Sequence, residues 1–180
     1  MKKELRDKYK NLRCRPSKRE EDEKIFFHLK SFLSKEVPSG VLIYVSSPAE
    51  TDTHSIINWL LEKGICVAVP KCVGKDMIFC KIESLEELTQ GYMGIYEPKD
   101  LDKKVDTSLY SICVVPALSV ALNGTRLGYG GGFYDRFLAS YKGTKLSVCP
   151  DCCICDNLPT EKHDVKMDLY ITQSGVKKVV

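Results

Sequence analysis

Two short apolar runs, Val41-Leu42-Ile43-Tyr44-Val45 and Ile65-Cys66-Val67-Ala68-Val69, decide how this chain folds. Each is continuous rather than alternating, the pattern of a strand covered on both faces. Pro38-Ser39-Gly40 clears the way for the first, and Pro70 is expected to stop the second. Between them Thr53 can cap a helix carrying Ile56, Ile57, Leu60 and Leu61 until Gly64 ends it. Strand, helix, strand is a βαβ unit, whose right-handed crossover lays the two strands parallel and side by side.

Upstream, Leu5, Tyr9 and Leu12 recur through residues 1–14 at i, i+4 and i+7, predicting a short amphipathic helix ahead of Pro16. Ser17 and Glu20 read as a capping box for a second helix that carries Ile25, Phe26, Leu29, Phe32 and Leu33 and runs to about Glu36. Downstream come a strand at Met77–Ile82, a short helix from Ser84 with Glu87 completing a second capping box, and a charged loop over 91–110. Ile112-Cys113-Val114-Val115-Pro116 is another buried strand, Phe133 to Tyr141 a helix, and Leu146–Cys149 and Leu169–Thr172 further strands. The sum is one domain over residues 1–180, an α/β fold with an open, mostly parallel sheet and helices on both faces, Rossmann-like in its layering.

Composition agrees with one well-buried unit. Of 180 residues 43% are hydrophobic and 28% charged, which excludes a disordered chain, a collagen-like repeat or a coiled coil. No apolar run approaches the roughly 20 residues of a membrane helix, so no membrane partner is expected. Met-Lys-Lys leads straight into Glu4, Arg6, Asp7 and Lys8 rather than an apolar segment, which makes the cytoplasm the expected compartment. A net charge of +3 is too mild for a nucleic-acid binder but suits a site for small polyanions.

That site announces itself at Asn123-Gly124-Thr125-Arg126-Leu127-Gly128-Tyr129-Gly130-Gly131-Gly132-Phe133-Tyr134-Asp135-Arg136. Five of the twelve glycines fall within nine positions. Glycine lets backbone N–H groups approach an anion that a Cβ would hold off, and the helix beginning near Phe133 turns its N-terminus to the same place. Arg126 and Arg136 can grip phosphate, and the Asp135 carboxylate can carry a magnesium ion beside it. Neither the Walker A pattern nor the Rossmann dinucleotide spacing is present.

The stretch Val115-Pro116-Ala117 followed by Gly124-x-Arg126-Leu127-Gly128-Tyr129-Gly130-Gly131-Gly132-Phe133-Tyr134-Asp135-Arg136 resembles the signature of the 5-formyltetrahydrofolate cyclo-ligase family. Lys2-x-x-x-Arg6, Glu50-Thr51-Asp52-Thr53 and Leu158-Pro159-x-Glu161-x-His163-Asp164 resemble three further elements of that family in order and spacing. Members turn 5-formyltetrahydrofolate into 5,10-methenyltetrahydrofolate while converting ATP to ADP and phosphate with magnesium. The formyl oxygen is phosphorylated, N10 closes on the activated carbon and phosphate departs.

By that resemblance Lys2, Lys3, Glu4, Leu5 and Arg6 join Arg126, Leu127, Gly128, Tyr129, Gly130, Gly131, Gly132, Phe133 and Tyr134 around ATP. Val45 and Glu50, with Tyr129 to Phe133, contact the folate. Asp135 and Asp164 hold the magnesium ion, and Arg126 and Asp135 carry the catalysis. Partners are then small molecules only, the protein a monomer. Taken by themselves, Lys2 and Arg6 read first as a solvated helix face, and only the co-occurring motifs raise them. Tyr129, Phe133 and Tyr134 offer faces for a flat ring, although such aromatics also serve as core.

Nine cysteines in a chain without an export signal predict reduced thiols. Cys149-Pro150-Asp151-Cys152-Cys153-Ile154-Cys155 departs from the family pattern. It offers enough thiolates for a zinc site, a vicinal disulfide or an oxidation sensor. A non-catalytic, thiol-regulated folate or nucleotide binder therefore stands as the rival reading, with a sugar-phosphate isomerase or CoA-transferase relative of similar topology behind it.

Overall fold

The computed structural model describes residues 1–91 and 94–179. Helices α1 (Lys2–Arg13) and α2 (Lys18–Glu36) precede β1 (Gly40–Ile43), which with α3 (His54–Glu62) and β2 (Cys66–Val73) forms the expected βαβ unit. There follow β3 (Asp76–Ile82), β4 (Leu88–Gln90), β5 (Tyr96–Pro98), β6 (Ile112–Pro116), β7 (Ser119–Ala121), β8 (Arg126–Leu127) and α4 (Phe133–Leu138). The chain ends with β9 (Thr144–Val148), β10 (Ile154–Cys155), β11 (Leu169–Thr172) and β12 (Gly175–Lys178).

Seven strands form one sheet in the order β12-β11-β9-β6-β1-β2-β3. The five central strands are parallel, and the edges β3 and β12 run antiparallel to their neighbours. Alternate residues of each continuous run face opposite layers. Val41, Ile43, Val67, Val69 and Val114 join Ile25, Leu29 and Leu33 of α2 and Ile56, Ile57 and Leu60 of α3 in one cluster. Leu42, Ala68, Cys113 and Val115 meet Phe79, Tyr110, Met167 and, from α4, Leu138 in another. Burial of both faces is why these strands carry no polar alternation. A small sheet, β10-β7-β8, packs with Tyr9 of α1 on a third cluster at the end of the main sheet.

Several boundaries differ from the sequence reading. β2 does not stop at Pro70 but runs on to Val73. Its pairing with β1 ends at Ala68, so Pro70 sits where the strand has only β3 as a neighbour and a missing N–H is tolerated. The stretch expected as loop contains β5 and a 3₁₀ turn at Thr107–Leu109, while residues 92 and 93 of it lie outside the described residues. α4 is shorter than expected, ending at Leu138.

Two of the three expected caps are replaced. Ser17 is in the helical region, and its Oγ donates to the Glu21 carboxylate instead of closing a box with Glu20. Thr53 turns its hydroxyl to the Tyr44 carbonyl (2.7 Å), and the Asp52 carboxylate accepts from the His54 amide (3.1 Å) in its place. The Ser84–Glu87 box is present, over a single 3₁₀ turn.

Candidate active site

The carboxyl ends of β1, β6 and β9 open onto one edge of the sheet, where parallel α/β folds place their ligands. The β1 end leads into the loop holding Glu50, and the β6 end into the small sheet and the glycine-rich loop. Glu50 is half-buried and its Oε2 accepts from the Ser47 amide (2.8 Å), which folds the loop back on itself. Val45 is 4% exposed and packs in the α2–α3 cluster, so what it can offer a ligand is shape alone.

The glycine-rich loop is shaped by close approach. Gly130 and Gly132 have φ of 105° and 67°, in the left-handed region that disfavours side chains. A Cβ on Gly128 would stand 2.6 Å from an Arg126 nitrogen. Gly132 is the N-cap of α4, which leaves the first amides of that helix pointing outward with no side-chain cap. Phe133 lies under the Arg136 guanidinium at 5.0 Å, and Tyr134 packs into both cores with its hydroxyl buried and unpartnered. Tyr129 is 42% exposed. Its phenol is held above the ordinary range by burial of the hydroxyl first and the Glu50 carboxylate second.

Onto this loop the fold brings α1. The Arg6 Nε donates to the Gly128 carbonyl (2.9 Å), and Lys2 Nζ lies 2.8 Å from Asp164 Oδ2 and 3.2 Å from Glu161 Oε2. These pairs join residues 122 and 162 positions apart in the chain. Leu5 packs toward the small-sheet core, whereas Lys3 and Glu4 face solvent.

Asp135 reaches the segment that carries Asp164, its Oδ1 accepting from the amide of the next residue, Val165 (3.2 Å). Burial alone would raise the Asp164 carboxyl. Hydrogen bonds from Lys2 and the Glu161 amide outweigh it and hold the group below its ordinary range. Glu161, His163 and Asp164 have ligand atoms all within 4.8 Å of one another. Their carboxylate oxygens suit a hard cation such as magnesium, and the imidazole does not.

Arg126 is more enclosed than a phosphate-gripping residue would be. Its side chain is 4% exposed, Nη1 donates to the Pro116 carbonyl (2.9 Å) and Nη2 to Asp135 Oδ2 (3.0 Å). It thereby ties the end of β6 to the first turn of α4 and fixes the Asp135 carboxylate. Arg13, unmarked in the sequence reading, is also 4% exposed and donates to the carbonyls of Ala117 and Leu118. One signal was available for it: Lys2, Arg6, Tyr9 and Arg13 follow at i, i+4, i+7 and i+11, a single face of α1.

The model of the 5-formyltetrahydrofolate cyclo-ligase family matches residues 1–173. The chain belongs to the 5-formyltetrahydrofolate cyclo-ligase family. The Escherichia coli K12 5-formyltetrahydrofolate cyclo-ligase is 30% identical over 143 residues, 76% of this chain and 79% of the relative. A Mycolicibacterium smegmatis cyclo-ligase is 31% identical over 155 residues, 80% and 79% of the two chains. Among solved structures, the 5,10-methenyltetrahydrofolate synthetase of Aquifex aeolicus superposes with a TM-score of 0.87 at 29% identity, covering 99% of this chain and 92% of its own.

The cysteine-rich stretch does not make the zinc centre its spacing allowed. All nine cysteines are free thiols. The one cluster of three or more potential metal ligands among the described residues is the Glu161 group. Asp151–Cys153 forms a 3₁₀ turn that buries Cys153 and exposes Cys152, so the sulfurs do not converge on a common centre.

Proposed function

We propose that this cyclo-ligase family member converts 5-formyltetrahydrofolate to 5,10-methenyltetrahydrofolate with hydrolysis of ATP to ADP and phosphate. The observation that carries the reading is the docking of α1: Lys2 pairs with Asp164 and Arg6 with the Gly128 carbonyl, which sets a cationic helix face against the glycine-rich loop, while Asp135 accepts from the Val165 amide next along the chain from Asp164. Phosphoryl transfer asks the protein for position and charge neutralisation, which this edge supplies.

The triphosphate lies against the amides of the loop and the first turn of α4, with Lys2 and Arg6 closing over it. Lys2 then exchanges its contact with Asp164 for a phosphate oxygen, which frees that carboxylate. Asp135 and Asp164 would hold magnesium, which when bound offsets charge on the phosphates. Arg126 acts by fixing Asp135 rather than by touching phosphate. Glu50 orients the folate by accepting from ring N–H groups, and Tyr129 and Phe133 flank the ring. The formyl oxygen attacks the terminal phosphorus and ADP leaves; N10 then bonds to the formyl carbon, the C–O bond breaks, and phosphate departs with the N10 proton.

Incubation of the protein with 5-formyltetrahydrofolate, ATP and magnesium should develop the ultraviolet band of the methenyl product, with ADP released one for one. Folate and nucleotide binding by calorimetry without ADP release would overturn this reading in favour of a non-catalytic binder.

A further inference from the structure

The cyclo-ligase reading leaves the thiols of residues 149–155 without a task. Two of them are placed for chemistry of their own. Cys152 is exposed on the 3₁₀ turn and Cys153 buried beside it, with their sulfurs 3.7 Å apart. Arg15, at the junction of α1 and α2, donates a guanidinium N–H to the Cys152 sulfur while Glu21 holds that guanidinium from the other side. The Leu12 carbonyl completes the surroundings of the sulfur at 3.8 Å. An exposed sulfur beside a fixed cation with a second sulfur in reach is the arrangement of an attacking and a resolving thiol.

We propose that Cys152 and Cys153 form an oxidisable dithiol site for hydroperoxides. The Cys152 sulfur attacks the terminal peroxide oxygen, and the O–O bond breaks. The displaced oxygen leaves with the thiol proton as water or alcohol, and the sulfur is oxidised to a sulfenic acid by the two electrons the peroxide gains. Cys153 then attacks that sulfur, the S–O bond breaks, and hydroxide leaves with the Cys153 proton as water, closing a vicinal disulfide.

The two roles follow from burial, which pushes the Cys153 thiol up to about 12 and leaves it protonated until a partner is presented. The Cα atoms of consecutive residues are about 3.8 Å apart, short of the usual disulfide span of about 4.4–6.8 Å, so a bond closed between these two sulfurs is strained. A bond closed there is readily reopened by a dithiol reductant.

Peptide mapping of the intact protein after brief hydrogen peroxide treatment tests this. The peptide carrying Cys152 and Cys153 should lose two hydrogens and regain them with dithiothreitol, before Cys14 and Cys66, the other exposed thiols, react. Cys153→Ser should stop at a sulfenic acid on residue 152 that a cyclic diketone probe traps. Cys152→Ser should remove the reaction, and Arg15→Gln should slow it several-fold. Oxidation appearing first at Cys14 or Cys66, or a mapped Cys14–Cys152 link in the wild-type protein, would overturn the site. The mapping uses wild-type protein, so a variant that fails to fold does not protect the proposal. The readout needs no folate turnover and is separable from the cyclo-ligase reading.

Discussion

Asp135 does two things at once: it neutralises a buried guanidinium and holds the amide of Val165, the residue after Asp164. In Asp135→Asn the amide NH₂ must face either Arg126 or the Val165 N–H, and an enclosed donor goes unpaired at a cost of about 1–3 kcal/mol. The melting midpoint should fall by several degrees, since about 2–4 °C accompanies each kcal/mol at this size. Turnover should drop about 100-fold or more, the scale on which charge-stabilising groups act. A folded variant with wild-type turnover would refute the assignment. Glu50→Gln tests the other half of the site. The glutamine oxygen can keep the Ser47 bond, so the loop persists, but a charge-assisted acceptor becomes a neutral one. The folate KM should rise about tenfold, equal to about 1.4 kcal/mol, with the KM for ATP unchanged. At this scale the sequence was legible in part. Glycines and carboxylates advertise their chemistry, but whether a helix cation such as Lys2 or Arg13 is solvated or enclosed depends on what α1 docks against, more than 100 residues away.

Elements were legible where burial is two-sided and sustained. Val41–Val45 and Ile112–Pro116 read as strands because both faces of β1 and β6 are covered, whereas β7, β8 and β10 hold two or three residues each and leave no periodicity to detect. Helix starts were less legible. A Ser-x-x-Glu spacing is necessary for a capping box but not sufficient, and at Ser17 the ion pair of Glu21 with Arg15 recruits the hydroxyl sideways. That junction between α1 and α2 is pH-sensitive. The hydrogen bond from Arg15 chiefly holds the Glu21 carboxyl below its ordinary range, with Ser17 assisting and burial opposing. A carboxyl so depressed stabilises the fold above its unfolded-state pKa, and the contribution disappears as pH falls through the lower folded-state value. Thermal melts from pH 7 downward should therefore show midpoints falling below about pH 4.5, and Arg15→Gln should start lower and fall less steeply. Parallel curves for the two proteins would show that the pair contributes nothing.

Across the whole molecule, the two main cores differ in what they hold up. The α2–α3 cluster covers one face of the sheet with side chains such as Leu33 of α2, 0% exposed and far along the chain from the glycine-rich loop. The opposite cluster contains Phe79 of β3, 1% exposed, whose ring sits 4.8 Å from Phe137 of α4, and Phe137 lies in turn 5.5 Å from Tyr141. α4 is only one and a half turns long, too short to stand without tertiary support, and its first residues are the wall of the proposed phosphate site. Phe79→Ala should therefore cost about 3–5 kcal/mol and, well below its lowered melting midpoint, also raise the KM for ATP several-fold as α4 loosens. Leu33→Ala removes a comparably buried side chain from the other face at about 2–5 kcal/mol and should leave the KM for ATP where it was. Measured side by side at a temperature where both variants are folded, equal KM values would mean that the loop keeps its shape without the aromatic stack. A rise confined to Phe79→Ala would place the support of the nucleotide site in the β3–α4 contact, an antiparallel edge strand holding the helix that a continuous apolar run alone could not have announced.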